Sequence, residues 1–373
     1  MKGAGKRALA LLLMAALLPA LLPGRAARAA QEAQEAPRFA TLADAATYLR
    51  ESAARCEPVI RLYLDDLASL GQAEEPLRPI LALTMQCGVT ARLRFDTGLL
   101  ELMLRYYPGT RIVHAVESGD VGSLSERERA TYERAQQIVA SARAAAGTPL
   151  MLERALHDWL CANVRYTDAP PTTAEADGTP TAFTAVGALL DGSANCQGFA
   201  DAFYLLGKLA GFDVRRQSGT AGGAAHTWNT ILLDGQWYLV DVTNDLMDAG
   251  VWDYRWFNVG LDMAGDHVWS PQEETAPVAA ATDWSKFFYA AAEEGFGGLC
   301  TDLGGLAYYA FTARRDRGQQ TVYAMLLNRT CTWEALSAAL QTVADAMGKR
   351  CNWYVWCRQV DGSTYCRIDW TAW

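Results

Sequence analysis

Lysine is scarce in this chain of 373 residues, and beyond the first thirty it appears only at Lys208, Lys286 and Lys349. Arginine carries the basic charge, yet Lys and Arg together number 33 against 42 Asp and Glu, for a formal net charge of −9. Nucleic acid is therefore not an expected partner, because phosphate backbones are bound by clustered Lys and Arg. Histidine is limited to His114, His157, His226 and His267, with no pair at His-Glu-x-x-His spacing, so no metal site is expected. Gly295-Phe296-Gly297-Gly298 lacks the lysine and helix context of a phosphate loop and reads as a flexible turn. No calcium loop is recognisable either, and no cofactor is expected. His114, in an expected strand at 111–116, and His157, on the polar side of an expected helix beside Glu153 and Asp158, read as surface or satisfied core histidines.

Long apolar runs are also lacking after the first. Lys2, Lys6 and Arg7 precede an apolar stretch at 8–22 and small residues around Ala27-Arg28-Ala29, the pattern of a signal peptide over 1–29. The stretch is shorter than the ~20 residues a transmembrane helix needs. The mature chain is thus expected to be extracytoplasmic, secreted or surface-associated, with no membrane span once the signal is removed. Losing the five positive charges Lys2, Lys6, Arg7, Arg25 and Arg28 takes the balance from −9 to −14. The nine cysteines suit an exported protein with up to four disulfides and one thiol kept for chemistry, although a reducing niche leaves all of them free.

Periodicity predicts a helix at 42–55, a strand at 58–64, a helix at 97–107 and a strand at 111–116. Ser125 and Glu128 have capping-box spacing and start a helix to about residue 143. Thr148 as N-cap and Pro149 at the first helical position start another, with Leu152, Leu156 and Leu160 on its apolar face. An exposed loop is expected at 169–180 and a helix at 196–210, stopped by Gly211. Residues 333–347 read as a helix and 351–360 as a strand. This echoes 42–55 and 58–64, a pattern common enough to arise by chance. The expected divisions are an α/β region at 30–146, a core at 147–280 and a second α/β region at 281–373.

Cys196 follows the glycine-bearing loop Asp191-Gly192-Ser193 and opens a helix, where the positive end of the dipole favours a thiolate. A lone cysteine there is more commonly a small buried hydrophobe. Downstream, 225–233 and 236–243 are β-rich runs joined by Asp234-Gly235, a tight hairpin signal. In that register Leu233 faces Gln236, Trp228 faces Asp241 and His226 faces Thr243, so His226, Trp228 and Asp241 project to one side. Cysteine, imidazole and carboxylate together supply a nucleophile, a base and an orienting group.

The runs Ser193-Ala194-Asn195-Cys196-Gln197-Gly198-Phe199-Ala200, His226-Thr227-Trp228-Asn229 and Asp234 through Thr243 resemble the three motifs of the transglutaminase-like superfamily, in the order Cys, His, Asp. The likeness extends from 152–166 to 254–267, about a third of the chain. It implies an α+β fold with a papain-like core, a helix bearing the nucleophile Cys196 packed on an antiparallel sheet, flanked by α/β regions. It also implies His226 as base and Asp241 as orienter, with Tyr166, Gln197 and Trp228 supporting the cleft or oxyanion and His267 structural or at the cleft edge. Asn244 departs from the aromatic residue many relatives carry after the Thr. The family spans transglutaminases, peptidases, deglycosylating amidases and members without activity. The expectation is therefore acyl transfer or hydrolysis at amide bonds of peptide or protein substrates, those of the cell envelope included. The rival is an inactive binding or scaffold protein.

A second hairpin through Asp361-Gly362 places Cys357 opposite Cys366, close enough for a disulfide. A three-residue turn through Ser363 removes that pairing.

Overall fold

The computed structural model describes residues 36–71, 75–168, 173–175, 178–248, 251–252, 254, 256–261, 264–270, 278–280, 282, 297–326, 329–360 and 363–373. The expected signal peptide, parts of the 169–180 loop, Lys286, Gly295-Phe296 and the Asp361-Gly362 turn lie outside these residues. The protein is an α+β molecule of two compact units, 1–282 and 283–373.

The first unit begins with β1 (Arg38–Phe39), helix α1 (Ala46–Ala54), β2 (Val59–Leu64), β3 (Cys87–Arg94) and β4 (Leu99–Tyr106). They form a sheet of order β1-β2-β4-β3, with β1 parallel to β2 and the other pairs antiparallel. Leu49, Ile60, Leu62 and Leu102 are fully or almost fully buried in its core, each contributing ~1.5–3 kcal/mol by leaving water.

Residues 97–118 invert the sequence expectation: the expected helix is strand β4, and the expected strand at 111–116 lies inside helix α2 (Pro108–Ser118). Strand β4 buries Leu100, Leu102, Leu104 and Tyr106 on one face and partly covers Met103 on the other, so apolar residues lose the alternation that marks a strand. In α2, β-branched Ile112 and Val113 imitate a strand. Pro108 at the helix start, free of any need for an intrahelical N–H bond, sets the true boundary.

Helix α3 (Glu126–Ala145) starts at the capping box of Ser125 and Glu128, and α4 (Pro149–Asn163) at Thr148. After β5 (Arg165–Tyr166) and β6 (Ser193–Ala194), which pair in parallel, comes α5 (Cys196–Leu209). Phe199, Phe203 and Leu206 bury its inner face, and Gly211, at φ +91, follows its end. Helix α5 packs on β7 (Val214–Ala221) and β8 (Ala224–Leu233). Strand β9 (Gln236–Val240), the short helix α6 (Val242–Asp245), β10 (Leu246–Asp248), β11 (Val251–Trp252), β12 (Phe257–Val259) and β13 (Val268–Trp269) follow. The central sheet has order β12-β9-β8-β7-β13 and is antiparallel throughout.

The second unit runs β14 (Gly297–Cys300), α7 (Leu303–Arg317), β15 (Thr321–Leu326), α8 (Trp333–Ala346), β16 (Asn352–Val360) and β17 (Ser363–Ala372). Its sheet order is β14-β15-β17-β16, with β14 parallel to β15 and the rest antiparallel. This is the topology of the β1–β4 sheet. The repeat therefore exists, but topology matches α1 and β2 with α7 and β15, not with the 333–347 helix and 351–360 strand that the sequence suggested. Cys357 faces Cys366 as expected. The expected disulfide is absent, since the two sulfurs are 3.8 Å apart and both residues are free thiols.

Candidate active site

Asn195 caps α5 by accepting the Gly198 N–H at 3.1 Å, which fixes Cys196 as the first helical residue. The Phe199 N–H donates to the Asn195 carbonyl. These bonds leave the Cys196 and Gln197 N–H groups as the donors of the helix start. His226 lies on β8 opposite Gly219 of β7. A side chain at Gly219 would strike the Val268 carbonyl and the Trp228 ring, so glycine there lets β13 approach closely.

The hairpin turns through Asp234 (φ 47) and Gly235 (φ 82), with Leu233 paired to Gln236 as expected. The expected strand to Thr243 ends at Val240 instead. Asp241 caps α6, its Oδ1 accepting the Asn244 N–H at 3.1 Å, while its own N–H donates to the Trp256 carbonyl. Asp241 nevertheless meets His226, with 2.7 Å between its Oδ2 and His226 Nε2. The Cys196 side chain also acts on this imidazole, helping to raise its pKa. With Nε2 engaged, Nδ1 is the nitrogen left for the thiol.

Burial works to lower the His226 pKa, but the hydrogen bonds to Asp241 and Cys196 and their charges outweigh it and raise it to about 10. Burial likewise opposes ionisation of Asp241, yet its bonds to His226 and His267 hold its carboxyl below the usual range.

His267 is a member of the constellation that local sequence did not mark. Its side chain is wholly buried, with Nε2 at 2.9 Å from the same Asp241 Oδ2 and Nδ1 at 3.0 Å from the Ala264 carbonyl. Its pairing arises from long-range contacts: β13, two residues long, joins β7 and carries it beside Asp241. Only the family resemblance reached this position. Trp228 is 1% exposed, with its ring stacked 6.0 Å from His226 and edge-on to His267, so it backs the imidazoles instead of lining the cleft. Tyr166 is exposed, and partial burial of its hydroxyl and the Cys196 charge both raise its pKa. The Gln197 side chain acts on Tyr107, opposing the burial that raises its pKa.

His157, placed by its sequence neighbours on a polar face, is completely buried. Nδ1 lies 3.0 Å from Asp158 Oδ1, and Nε2 lies 3.1 Å from Asp245 Oδ2. Arg154 and Tyr254 also bond Asp158. The apparent polar face of α4 is therefore an internal network beneath α6. His114 lies on α2, not on a strand.

Residues 134–242 match the model of the transglutaminase-like superfamily. Human kyphoscoliosis peptidase is 29% identical over 119 residues, covering 29% of this chain and 17% of that protein, so the chain spans about a sixth of its relative's length. Among solved structures, a TGase is 14% identical at a TM-score of 0.28, with 50% of each chain covered. The periplasmic domain of TgpA from Pseudomonas aeruginosa bound to ethylmercury is 21% identical at a TM-score of 0.26, with 42% of this chain and 63% of that one covered. At such scores the family rests on the sequence match. The likeness to the transglutaminase-like superfamily is carried by residues 134–242.

Proposed function

We propose that this protein is a thiol acyltransferase or peptidase acting on amide bonds of peptides or proteins, with Cys196 as nucleophile, His226 as base and Asp241 as orienter. The observation that carries this reading is the 2.7 Å contact between Asp241 Oδ2 and His226 Nε2, an imidazole on which Cys196 also acts. The thiolate attacks the carbonyl carbon and forms a C–S bond, and the oxyanion is received by the Cys196 and Gln197 N–H groups. The C–N bond then breaks, and His226 gives its proton to the departing amine. Water or a second amine attacks the thioester and yields its proton to His226, and the thiolate leaves. Water gives hydrolysis; an amine gives cross-linking. Asp241 keeps Nε2 engaged, so Nδ1 handles the proton. Exposed Tyr166 suits a substrate chain lying across the cleft. Export, read from the first 29 residues, directs the reading to substrates of the cell envelope. Among the described residues no helix is long and apolar enough to cross a membrane.

The test is iodoacetamide labelling of the folded chain from about pH 5 to about pH 9 with site mapping, comparing wild type with His226→Ala. Selective labelling of Cys196 below about pH 7, lost in the variant, is expected. Slow labelling that ignores the substitution overturns the reading in favour of a scaffold that keeps only the groove.

A further inference from the structure

The second unit carries a thiol constellation that the acyl-transfer reading does not use. Cys366 is completely buried on β17, and Cys357 stands directly opposite on β16 with its sulfur 3.8 Å away. Cys331 precedes Thr332, the N-cap of α8. Its N–H donates to Thr364 Oγ1 at 2.9 Å, and that hydroxyl donates to the Arg329 carbonyl at 3.0 Å. The loop into α8 is thus pinned over β17, two residues from Cys366. All three sulfurs lie within 4.8 Å of one another.

The 3.8 Å spacing is that of two thiols in contact and equally that of two thiolates on one ion. Disulfide sulfurs stand about 2.05 Å apart, whereas two thiolates ~2.3 Å from one tetrahedral centre stand about 3.8 Å apart. Any disulfide pairing within the trio also leaves one sulfur over.

We propose that Cys331, Cys357 and Cys366 form a three-thiolate site for a thiophilic d10 cation, Cu(I) or Zn(II). Soft thiolates select such ions. Cu(I) is satisfied by three sulfurs, while Zn(II) takes a fourth ligand from solvent past half-buried Cys357. The ion replaces the thiol protons, so uptake weakens as pH falls. It ties β16, β17 and the start of α8 together, and the Thr364 bonds orient the loop that supplies Cys331. The sequence conceals this site because its ligands are separated by far more than the two to four residues of a zinc knuckle.

The test titrates the full chain, reduced and held without oxygen, with Cd(II), read by thiolate-to-metal absorption. About one equivalent is expected to bind, to be displaced by Zn(II) or Cu(I), and to bind at least about tenfold more weakly in Cys331→Ser and in Cys357→Ser. Cys196→Ser keeps the band. Cys357 is half-buried, so its serine variant tests the site without opening the core, and circular dichroism verifies its fold. A band that survives both cluster substitutions overturns the proposal. So does the lack of any band in folded, reduced protein, including the case where unreduced protein yields a peptide cross-linked between Cys357 and Cys366.

Discussion

Asp241 Oδ2 receives two imidazoles, His226 at 2.7 Å and His267 at 2.9 Å, from a buried position. Two partners on one oxygen fix the carboxylate more tightly than the single partner the sequence offered. The His226 pKa, raised to about 10 against an ordinary 6.5, makes its contribution to stability complete below about pH 6.5 and lost as pH rises through 10. Asp241, held low, contributes above the ordinary carboxylate range and loses that contribution as pH falls through its folded value. The imidazolium–carboxylate pair is therefore intact across neutral pH. Replacing Asp241→Asn removes the stronger of the influences that raise His226. The alkaline limb of the pH–rate profile for Cys196 acylation is expected to move from about 10 toward about 6.5, with the maximal rate down about 10³–10⁴-fold. An alkaline limb unmoved by the substitution would show that Asp241 does not set the charge on His226. Cys196, His226 and Asp241 stood out as candidates because each lies in a short local signature: a helix start and the two arms of a hairpin. His267 did not, because nothing within a few residues of it announces Asp241.

At the scale of elements, α6 is held at both ends. Asp241 at its start binds two histidines, and Asp245 at its end accepts His157 Nε2 at 3.1 Å and the Trp256 N–H at 2.7 Å. His157 is buried between Asp158 and Asp245, whose bonds, with Cys161 beside it, raise its pKa well above 6.5 against the opposing effect of burial. Its stabilisation is present below about pH 6.5 and fades as pH rises through that higher value. His157→Ala leaves two carboxylates facing a void and is expected to cost about 3–5 kcal/mol in denaturant unfolding at neutral pH. A change under about 1 kcal/mol would assign the network no role in holding α6. Capped helices were readable: Ser125 and Thr148 each accept a first-turn N–H where their spacing said they would, and Asn195 does the same before α5 without having been singled out. Residues 97–118 were not, because β4 carries apolar residues on both faces and α2 is rich in β-branched residues, so periodicity pointed to the wrong element twice.

At the scale of the molecule, the sheets of 36–106 and 297–372 share one strand order and one pattern of directions, and each has its own buried core. The units are expected to unfold separately, since cooperativity is lost where cores are distinct. Pulse alkylation along a urea series measures this, with buried Cys161 reporting the first unit and buried Cys366 the second. Exposure of both at the same urea concentration would mean a single cooperative unit. The sequence by itself determined the charge balance that disfavours nucleic acid, the capped helices, the Asp234-Gly235 hairpin and the order of cysteine, histidine and aspartate, because each is set by residues a few positions apart. Tertiary structure alone decided that β9 stops at Val240, that His267 shares Asp241, that His157 is internal and that Cys331 joins Cys357 and Cys366. The histidine and cysteine contacts join segments 26 to 88 positions apart, whose meeting is governed by packing of the whole sheet and not by any local preference.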